Sequence, residues 1–210
     1  MKIQTLDERS LVRACEKLAR ADSDLNFIFR TYGPPPLWRR EAGFATLIQI
    51  ILEQQVSLAS ALAAFNKLKE KLGAVSPEGV LSLTDEEMKA AYFSRQKTVY
   101  ARELAKALLN GELNLKTLES LPDAEAKREL KKIKGIGDWT ADIYLLMAML
   151  RADVMPTGDL ALHTAWKKLK RLEHAPHADE FQAIAERWRP FRAVAARLLW
   201  HFYLKDKSKG

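Results

Sequence analysis

The stretch LKKIKGIGDWTA, residues 130–141, joins two helical segments through a very short turn. Ile136 lies between Gly135 and Gly137, and glycine permits positive φ and close approach to a ligand because it lacks a Cβ atom. The stretch predicts a helical hairpin in which Ile136 packs between the two helices. The first backbone amides of the second helix then point outward without intrahelical partners.

Outward amides at a helix N-terminus form an anion site, because they lie at the positive end of the helix dipole. A nucleic-acid phosphate fits this site, and Lys131, Lys132 and Lys134 add a positive field. An ordinary helix–helix turn is the alternative, since Gly-x-Gly alone is a weak signal. Asp138 suits a helix N-cap, but it would have to point away from a bound phosphate.

The composition of the 210-residue chain restricts the class of protein. No run approaches the roughly 18 apolar residues of a membrane helix, and residues 1–20 lack the apolar core of a signal peptide. Cys15 is the single cysteine, which excludes an internal disulfide and a cysteine-based metal cluster. These features predict a protein of the cytoplasm and nucleoid, or of the nucleus in a eukaryote.

The charge balance is moderately basic. The chain has 34 Lys and Arg against 27 Asp and Glu, a net charge of +7. A basic surface suits a polyanion such as nucleic acid, although a soluble protein can also be basic without that function.

The hydrophobic pattern is helical nearly throughout, and no stretch sustains a period of two. We therefore predict an all-α fold, with Gly- and Pro-rich turns between helices. Helical segments are predicted over residues 44–52, 62–72, 84–93, 98–109, 122–132, 139–150, 160–172, 179–188 and 190–203. Residues 205–210, KDKSKG, are predicted to be a disordered tail.

Four segments in order resemble the helix–hairpin–helix DNA glycosylases, and most closely the alkylpurine branch of the 3-methyladenine DNA glycosylase II type. Two of them are residues 44–61, which include Gln-Gln-x-Ser, and residues 186–200, which include Trp-x-Pro-x-Arg and Leu-Trp. The other two, the hairpin and the Gly/Pro-rich loop with an aspartate, are carried by Leu130, Ile133, Gly135, Ile136, Gly137, Trp139, Thr140, Ala141, Pro156 and Asp159.

The resemblance implies a two-lobed helical fold with the active cleft between the lobes. We expect one HhH-GPD glycosylase domain over residues 1–210, with the hairpin at about 123–150 and the catalytic loop at 153–160. Larger members of the family carry an N-terminal β-rich domain, and this chain is similar to a compact form without it.

Trp139 separates two subclasses of the family. Glycosylases that also cleave the strand place a lysine here as an amine nucleophile. Because this chain has Trp139, the resemblance implies a monofunctional enzyme that hydrolyses the N-glycosidic bond of an alkylated purine in DNA and leaves an abasic site during base-excision repair.

Asp159 matches the catalytic aspartate of the family. A carboxylate near C1′ of the flipped nucleotide can stabilise the oxocarbenium-like charge and orient or deprotonate water. The alternative is a helix N-cap, which the position before LALHTAWKKL also suits. The competing carboxylates Asp138, Asp142 and Asp153 do not match the motif position.

Trp139 and Trp200 match aromatic base-pocket positions, where stacking and cation–π attraction favour a cationic base. Core packing is the alternative for both. Two segments depart from the family pattern. Ile143, with Tyr144 beside it, replaces a pocket tyrosine, and residues 92–97, YFSRQK, resemble a Gly-x-x-x-x-Lys stretch without its glycine, a departure that we assign to Phe93.

Contacts with DNA are implied for the hairpin and for several polar residues. Gln55 matches the side chain that fills the gap left by the flipped nucleotide, whereas Gln54 is expected inside the fold, where its amide needs partners. The set of predicted DNA-binding residues is Gly135, Ile136, Gly137, Thr140, Lys134, Gln55 and Ser57. Arg192 is expected to hold the catalytic loop or a phosphate, and His163 to be a surface or packing residue.

The expected partner is double-stranded DNA that contains alkylated bases, with no membrane and with the protein as a monomer. No cofactor is required, although the hairpin carbonyls can bind Na⁺ or K⁺ as members of the family often do. A non-catalytic helix–hairpin–helix protein that binds damaged DNA would need the hairpin but not Asp159 or the tryptophans. A helical domain with coincidental turns is the third interpretation.

Overall fold

The computed structural model describes residues 3–207, and within them the only β-type pairing is an isolated antiparallel bridge between Thr5 and Arg151. This confirms the predicted all-α class. The helices are α1 (Glu8–Ala21), α2 (Ser23–Tyr32), α3 (Phe44–Glu53), α4 (Leu58–Leu72), α5 (Pro77–Ser82), α6 (Asp85–Ala90), α7 (Arg95–Leu109), α8 (Leu115–Leu118), α9 (Asp123–Lys131), α10 (Asp138–Met147), α11 (Leu160–Lys170), α12 (Ala178–Ala185), a 3₁₀ turn (Glu186–Trp188) and α13 (Arg192–Lys207). Across the described part of the chain, none of these helices has the length and hydropathy to cross a bilayer.

The chain forms two compact units. One is Arg40–Tyr144, and the other combines the described parts of Lys2–Arg39 and Leu145–Gly210.

The unit Arg40–Tyr144 is built around α3, which is apolar on nearly every side and packs against α4 and α7. Leu47, Ile48, Ile50 and Ile51 are fully buried. A helix that is hydrophobic all round is stable only when neighbours cover it. Burial therefore makes α3 a firm support for the turn that follows it.

The second unit is centred on α13, which packs against α1, α2 and α11. Arg197 on α13 is fully buried, and its guanidinium donates hydrogen bonds to the carbonyl oxygens of Leu37, Ala193 and Leu146. Burial lowers the pKa of Arg197 to about 10, so it stays charged at neutral pH. Its donors therefore satisfy carbonyls from three parts of this unit.

Local signals located most helix ends. Thr84 and Glu87 form a reciprocal capping box at α6, and Gly73 ends α4 with φ of +71°. The predicted tail was wrong in part, because α13 continues through Lys207. The rest of that tail, residues 208–210, lies outside the described residues.

Candidate functional site

The predicted hairpin is present, with α9 and α10 joined by six residues, 132–137. Ile136 is buried, and its amide donates to the carbonyl of Ile133 at 3.0 Å. Gly135 has φ of +96°, and a Cβ added there would lie 2.2 Å from Cγ of Tyr100. Glycine is therefore required at 135 both by the backbone conformation and by close packing.

Gly137 has a different environment from Gly135. It is exposed, its φ is not in the left-handed region, and a Cβ added there would meet nothing within 4 Å. Its carbonyl accepts the first hydrogen bond of α10, from the amide of Ala141 at 3.0 Å. The N-terminus of α10 is thus open to close approach by a ligand at this position, as the anion-site prediction requires.

Asp138 is turned toward α9 by two ammonium groups. Lys131 Nζ lies 2.8 Å from its Oδ2, and Lys127 Nζ lies 3.1 Å from its Oδ1. The hydrogen bond from Lys131, followed in effect by that from Lys127, lowers the pKa of Asp138 despite an opposing effect of burial. These lysines balance its charge, so its carboxylate is compatible with the predicted anion site.

Ion pairs also make the positive field beside the hairpin weaker than the sequence predicted. Lys131 is engaged with Asp138, and Lys132 pairs with Glu129. Lys134 is exposed and has no ion pair with another residue of the range 3–207. Of the three lysines, it is the one left available to a phosphate.

Gln54 connects the α3–α4 turn to the hairpin. Its Nε2 donates to the carbonyl oxygen of Gly135 and to Oγ1 of Thr140, both at 2.8 Å. This confirms that Gln54 lies inside the fold with partners for its amide. The predicted DNA contact of Thr140 needs correction, because only 2% of Thr140 is exposed and its hydroxyl serves this internal bond.

The turn after α3 presents Gln55 to solvent. Gln55 is exposed and has φ of +57°, and Ser57 caps α4 by accepting the amide of Ser60 at 3.1 Å. The neighbouring side chains Val56 and Leu58 are also exposed. This geometry suits a residue that enters DNA, and the DNA contacts of Gln55 and Ser57 stay predictions.

Lys97 on α7 supports the same turn, and Phe93 lies in the loop before that helix. Lys97 Nζ donates to the carbonyl of Leu52 at 2.7 Å, in the last turn of α3, and burial lowers the pKa of Lys97. The spacing to Lys97 corrects the assignment of the missing glycine from Phe93 to Tyr92, which is exposed and has φ of +64°. Phe93 is buried and packs in the core, while Lys97 holds the end of α3.

Asp159 is the N-cap of α11. Its Oδ1 accepts the amides of Ala161 and Leu162 at 3.0 and 3.1 Å, and the indole N–H of Trp200 at 3.1 Å. The residue is partly exposed. Capping and catalysis are compatible here, because the donors fix the carboxylate while leaving the residue accessible.

Trp200 belongs to the surroundings of Asp159 rather than to a distant part of the core. Besides donating to Asp159, its ring makes an edge contact with Trp38 at 6.3 Å between centroids. Trp139 is half-buried in the first turn of α10. Base-pocket roles for Trp139 and Trp200 stay predictions.

The loop before Asp159 is held at two points. Arg192 Nε donates to Oδ1 of Asp153 at 2.9 Å, and its Nη2 donates to the Asp153 carbonyl at 2.8 Å. His163 is buried, and its Nε2 donates to the carbonyl of Thr157 at 2.5 Å. Arg192 thus holds the loop, one of its two predicted roles, and His163 is a packing residue.

The competing carboxylates have structural partners. Asp142 is buried and pairs with Lys127 at 2.9 Å, as Asp153 does with Arg192. Ile143 and Tyr144 are buried as well, and burial raises the pKa of Tyr144 to about 12. Tyr144 therefore does not replace the pocket tyrosine as an exposed aromatic group.

Three contributors were missed by sequence reasoning: Trp38 against Trp200, Tyr100 beneath Gly135, and Lys127 beside Asp138. The alternation of charged and apolar residues in α7 and α9 signals helices, but it does not identify the partner of each side chain. In the described range, His, Cys, Asp and Glu form no group of three or more able to hold a metal ion.

Comparison with known proteins gives one consistent result. Residues 48–190 match the family described as HhH-GPD superfamily base excision DNA repair protein. DNA-3-methyladenine glycosylase 1 of Schizosaccharomyces pombe is 31% identical over 173 residues, which are 80% of this chain and 76% of that protein. A Bacillus subtilis relative, provisionally named a DNA-3-methyladenine glycosylase, is 26% identical over 186 residues, 85% of this chain and 65% of the relative.

A solved structure shows the same similarity in three dimensions. The Schizosaccharomyces pombe 3-methyladenine DNA glycosylase in complex with abasic DNA superposes with a TM-score of 0.82 and 26% identity. The match covers 93% of this chain and 97% of that one.

Proposed function

The chain belongs to the HhH-GPD superfamily of base excision DNA repair proteins, and we propose that it is a monofunctional DNA glycosylase for alkylated purines. The reaction is hydrolysis of the N-glycosidic bond of cationic bases such as 3-methyladenine and 7-methylguanine, which leaves an abasic site. The observation that carries the proposal is the carboxylate of Asp159, fixed at the start of α11 by Ala161, Leu162 and Trp200.

Asp159 is assigned the chemical step. As the glycosidic bond breaks, positive charge develops on the sugar, and a preorganised carboxylate stabilises that charge without having to reorganise. The same carboxylate orients or deprotonates the attacking water. The amide and indole donors to Oδ1 prevent the side chain from rotating away.

The leaving group determines what else is needed. An alkylated cationic purine leaves as a neutral base, so no strong general acid is required. Aromatic rings at Trp139 and Trp200 favour a flipped cationic base through stacking and cation–π attraction of up to about 2 kcal/mol. A tryptophan at 139 also supplies no amine for a Schiff base, which supports base release without strand cleavage.

Double-stranded DNA containing alkylated bases is the proposed partner. The open N-terminus of α10 at Gly137, with exposed Lys134, grips one backbone phosphate, and Gln55 fills the space of the flipped nucleotide. The protein acts as a monomer without a required cofactor. Na⁺ or K⁺ at hairpin carbonyls and location in the cytoplasm and nucleoid, or in a nucleus, complete the proposal.

Base release from methylated DNA tests this function directly. Wild-type protein should release 3-methyladenine and 7-methylguanine and create alkali-labile sites, whereas Asp159→Asn should not. Asp138→Asn is the matched control, since it changes another aspartate at a helix start. Equal release by wild type and Asp159→Asn would contradict the enzymatic proposal.

Two further outcomes separate the alternatives. Borohydride reduction during the reaction should trap no protein–DNA adduct, and an adduct would contradict the monofunctional assignment. Binding to damaged DNA without any base release would instead identify a non-catalytic helix–hairpin–helix protein.

A further inference from the structure

The α3–α4 turn and the hairpin are joined by one side chain. Gln54 precedes the exposed Gln55, and its amide nitrogen donates both of its protons across the unit, to Gly135 O and Thr140 Oγ1, each at 2.8 Å. One NH₂ group has two protons, so these bonds use its full donor capacity. The side chain therefore connects the end of α3 with both sides of the hairpin turn.

The α3 end of this connection is rigid. Buried apolar side chains surround α3, and Lys97 Nζ donates a hydrogen bond to the carbonyl of Leu52. The backbone N–H of Gln54 donates to the carbonyl of Ile51 at 3.3 Å. Gln54 therefore starts from a fixed backbone position.

The hairpin end is equally constrained. Gly135 has no room for a Cβ against Tyr100, and Thr140 is 2% exposed. The carbonyl of Gly135 and the hydroxyl of Thr140 are therefore fixed in position, and the side-chain amide of Gln54 lies between them. A buried hydroxyl and a half-buried amide that satisfy each other are costly to separate.

We propose that Gln54 is a positioning residue that holds the Gln55 turn and the hairpin at a fixed separation, so that both engage one duplex at once. This inference rests on the proposed DNA contacts of Gln55 and of the open start of α10. Two contacts on a preorganised frame bind better than two that must be aligned on binding, because alignment costs entropy. Their contributions to DNA affinity are therefore coupled through Gln54.

Gln54→Leu removes both hydrogen bonds at similar side-chain size. We expect about a tenfold loss of affinity for a duplex that contains an abasic site, the equivalent of losing a favourable pair of hydrogen bonds. Gln49→Leu is the control: Gln49 is also half-buried on α3, but its amide bonds Glu53 on the same helix, so affinity should change less than about twofold.

A double-mutant cycle separates positioning from general destabilisation. Gln55→Ala and Gly137→Asp should each weaken binding to abasic-site DNA. With Gln54 present, the fold-loss of affinity in the double variant should be smaller than the product of the two single fold-losses. In the Gln54→Leu background the losses should multiply. Multiplicative losses in both backgrounds, or no loss from either single variant, would overturn the proposal.

Thr140→Val is nearly isosteric and removes Oγ1, one of the two acceptors of the Gln54 side-chain amide. It replaces Gln54→Leu in the experiment if that variant folds poorly. It should give an intermediate loss of affinity and partial loss of the coupling; unchanged coupling counts against the proposal. Because the readout is binding to abasic DNA, it is independent of base release. Coupling without base release would support the role of Gln54 and refute the glycosylase assignment. Base release without coupling would support the glycosylase assignment and refute the role of Gln54.

Discussion

Two helices of this protein, α10 and α11, have the same Gly-Asp dipeptide at their start. Asp138, after Gly137, is the first residue of α10, and Asp159, after Gly158, is the N-cap of α11. The Asp138 side chain is 66% exposed and meets the ammonium groups of Lys127 and Lys131. Oδ1 of Asp159 instead accepts hydrogen bonds from neutral N–H groups.

The partners of a carboxylate determine what it can do. An ammonium partner balances the negative charge and opposes any role toward a second cation. The N–H donors to Asp159 hold its carboxylate in one orientation, and a fixed carboxylate is what stabilisation of a developing sugar cation requires. Asp138 is thus a structural residue beside the proposed phosphate site, and Asp159 is the residue to which we assign the chemistry.

The largest expected effect is on catalysis. Asp159→Asn should reduce the single-turnover rate of base release at least about 100-fold, because a preorganised charge contributes on that scale. Asp138→Asn should retain the rate within about twofold. Similar losses in both variants would show that the two aspartates do not differ as proposed.

The next effect concerns how the start of α10 is placed. Gly135→Ala should lower the free energy of unfolding by about 3 kcal/mol, because the new Cβ meets the Tyr100 ring and φ is +96°. Gly137→Ala should change it by less than about 1 kcal/mol, since that Cβ meets open space. Urea unfolding of both variants measures the difference, and equal values would refute the packing argument.

A smaller effect is expected from the donor to Asp159. Trp200→Phe keeps an aromatic ring against Trp38 and loses the indole N–H, so the rate of base release should fall about tenfold. Affinity for abasic-site DNA, which has no base for residue 200 to stack on, should be unchanged. Trp38→Phe, which leaves that N–H in place, is the control. If Trp200→Phe is fully active, the hydrogen bond does not position the carboxylate.

The smallest effect is the pH dependence at Asp138. Its pKa lies below the ordinary 3.8 in the folded protein, so its contribution to stability is present above about pH 4 and is lost as pH falls through the lowered value. The exposed pair is screened, and Asp138→Asn should cost under about 1 kcal/mol at pH 7. Denaturation at pH 7 and at pH 3, in low and high salt, should show the cost shrinking with acid and with salt; a constant cost would mean that another interaction is lost.

Much of the fold could be predicted because helix signals are local. An apolar stripe, the Thr84–Glu87 capping box and the stop at Gly73 are each complete within a few residues. The end of α13 was misplaced because KDKSKG is polar and carries no stop signal before Lys207. A polar face of a helix and a polar tail look alike in sequence.

The candidate site was predictable in kind but not in contacts. The motif located Asp159 and the hairpin, and the amide of Gln54 was expected to need partners. Those partners lie 81 and 86 residues away along the chain, and the donor Trp200 lies 41 residues from Asp159. No local pattern records such separations.

By itself, the sequence determined the helical class, the glycine turn of the hairpin, and the aspartate and tryptophan that point to base release. These depend on periodicity, backbone freedom and side-chain chemistry, which each residue carries locally. Only the tertiary structure decided that Lys127 and Lys131 balance Asp138, that Trp200 holds Asp159, and that Gln54 connects two surfaces. Hydrogen bonds and ion pairs act over a few ångströms, so their partners are set by packing rather than by order along the chain.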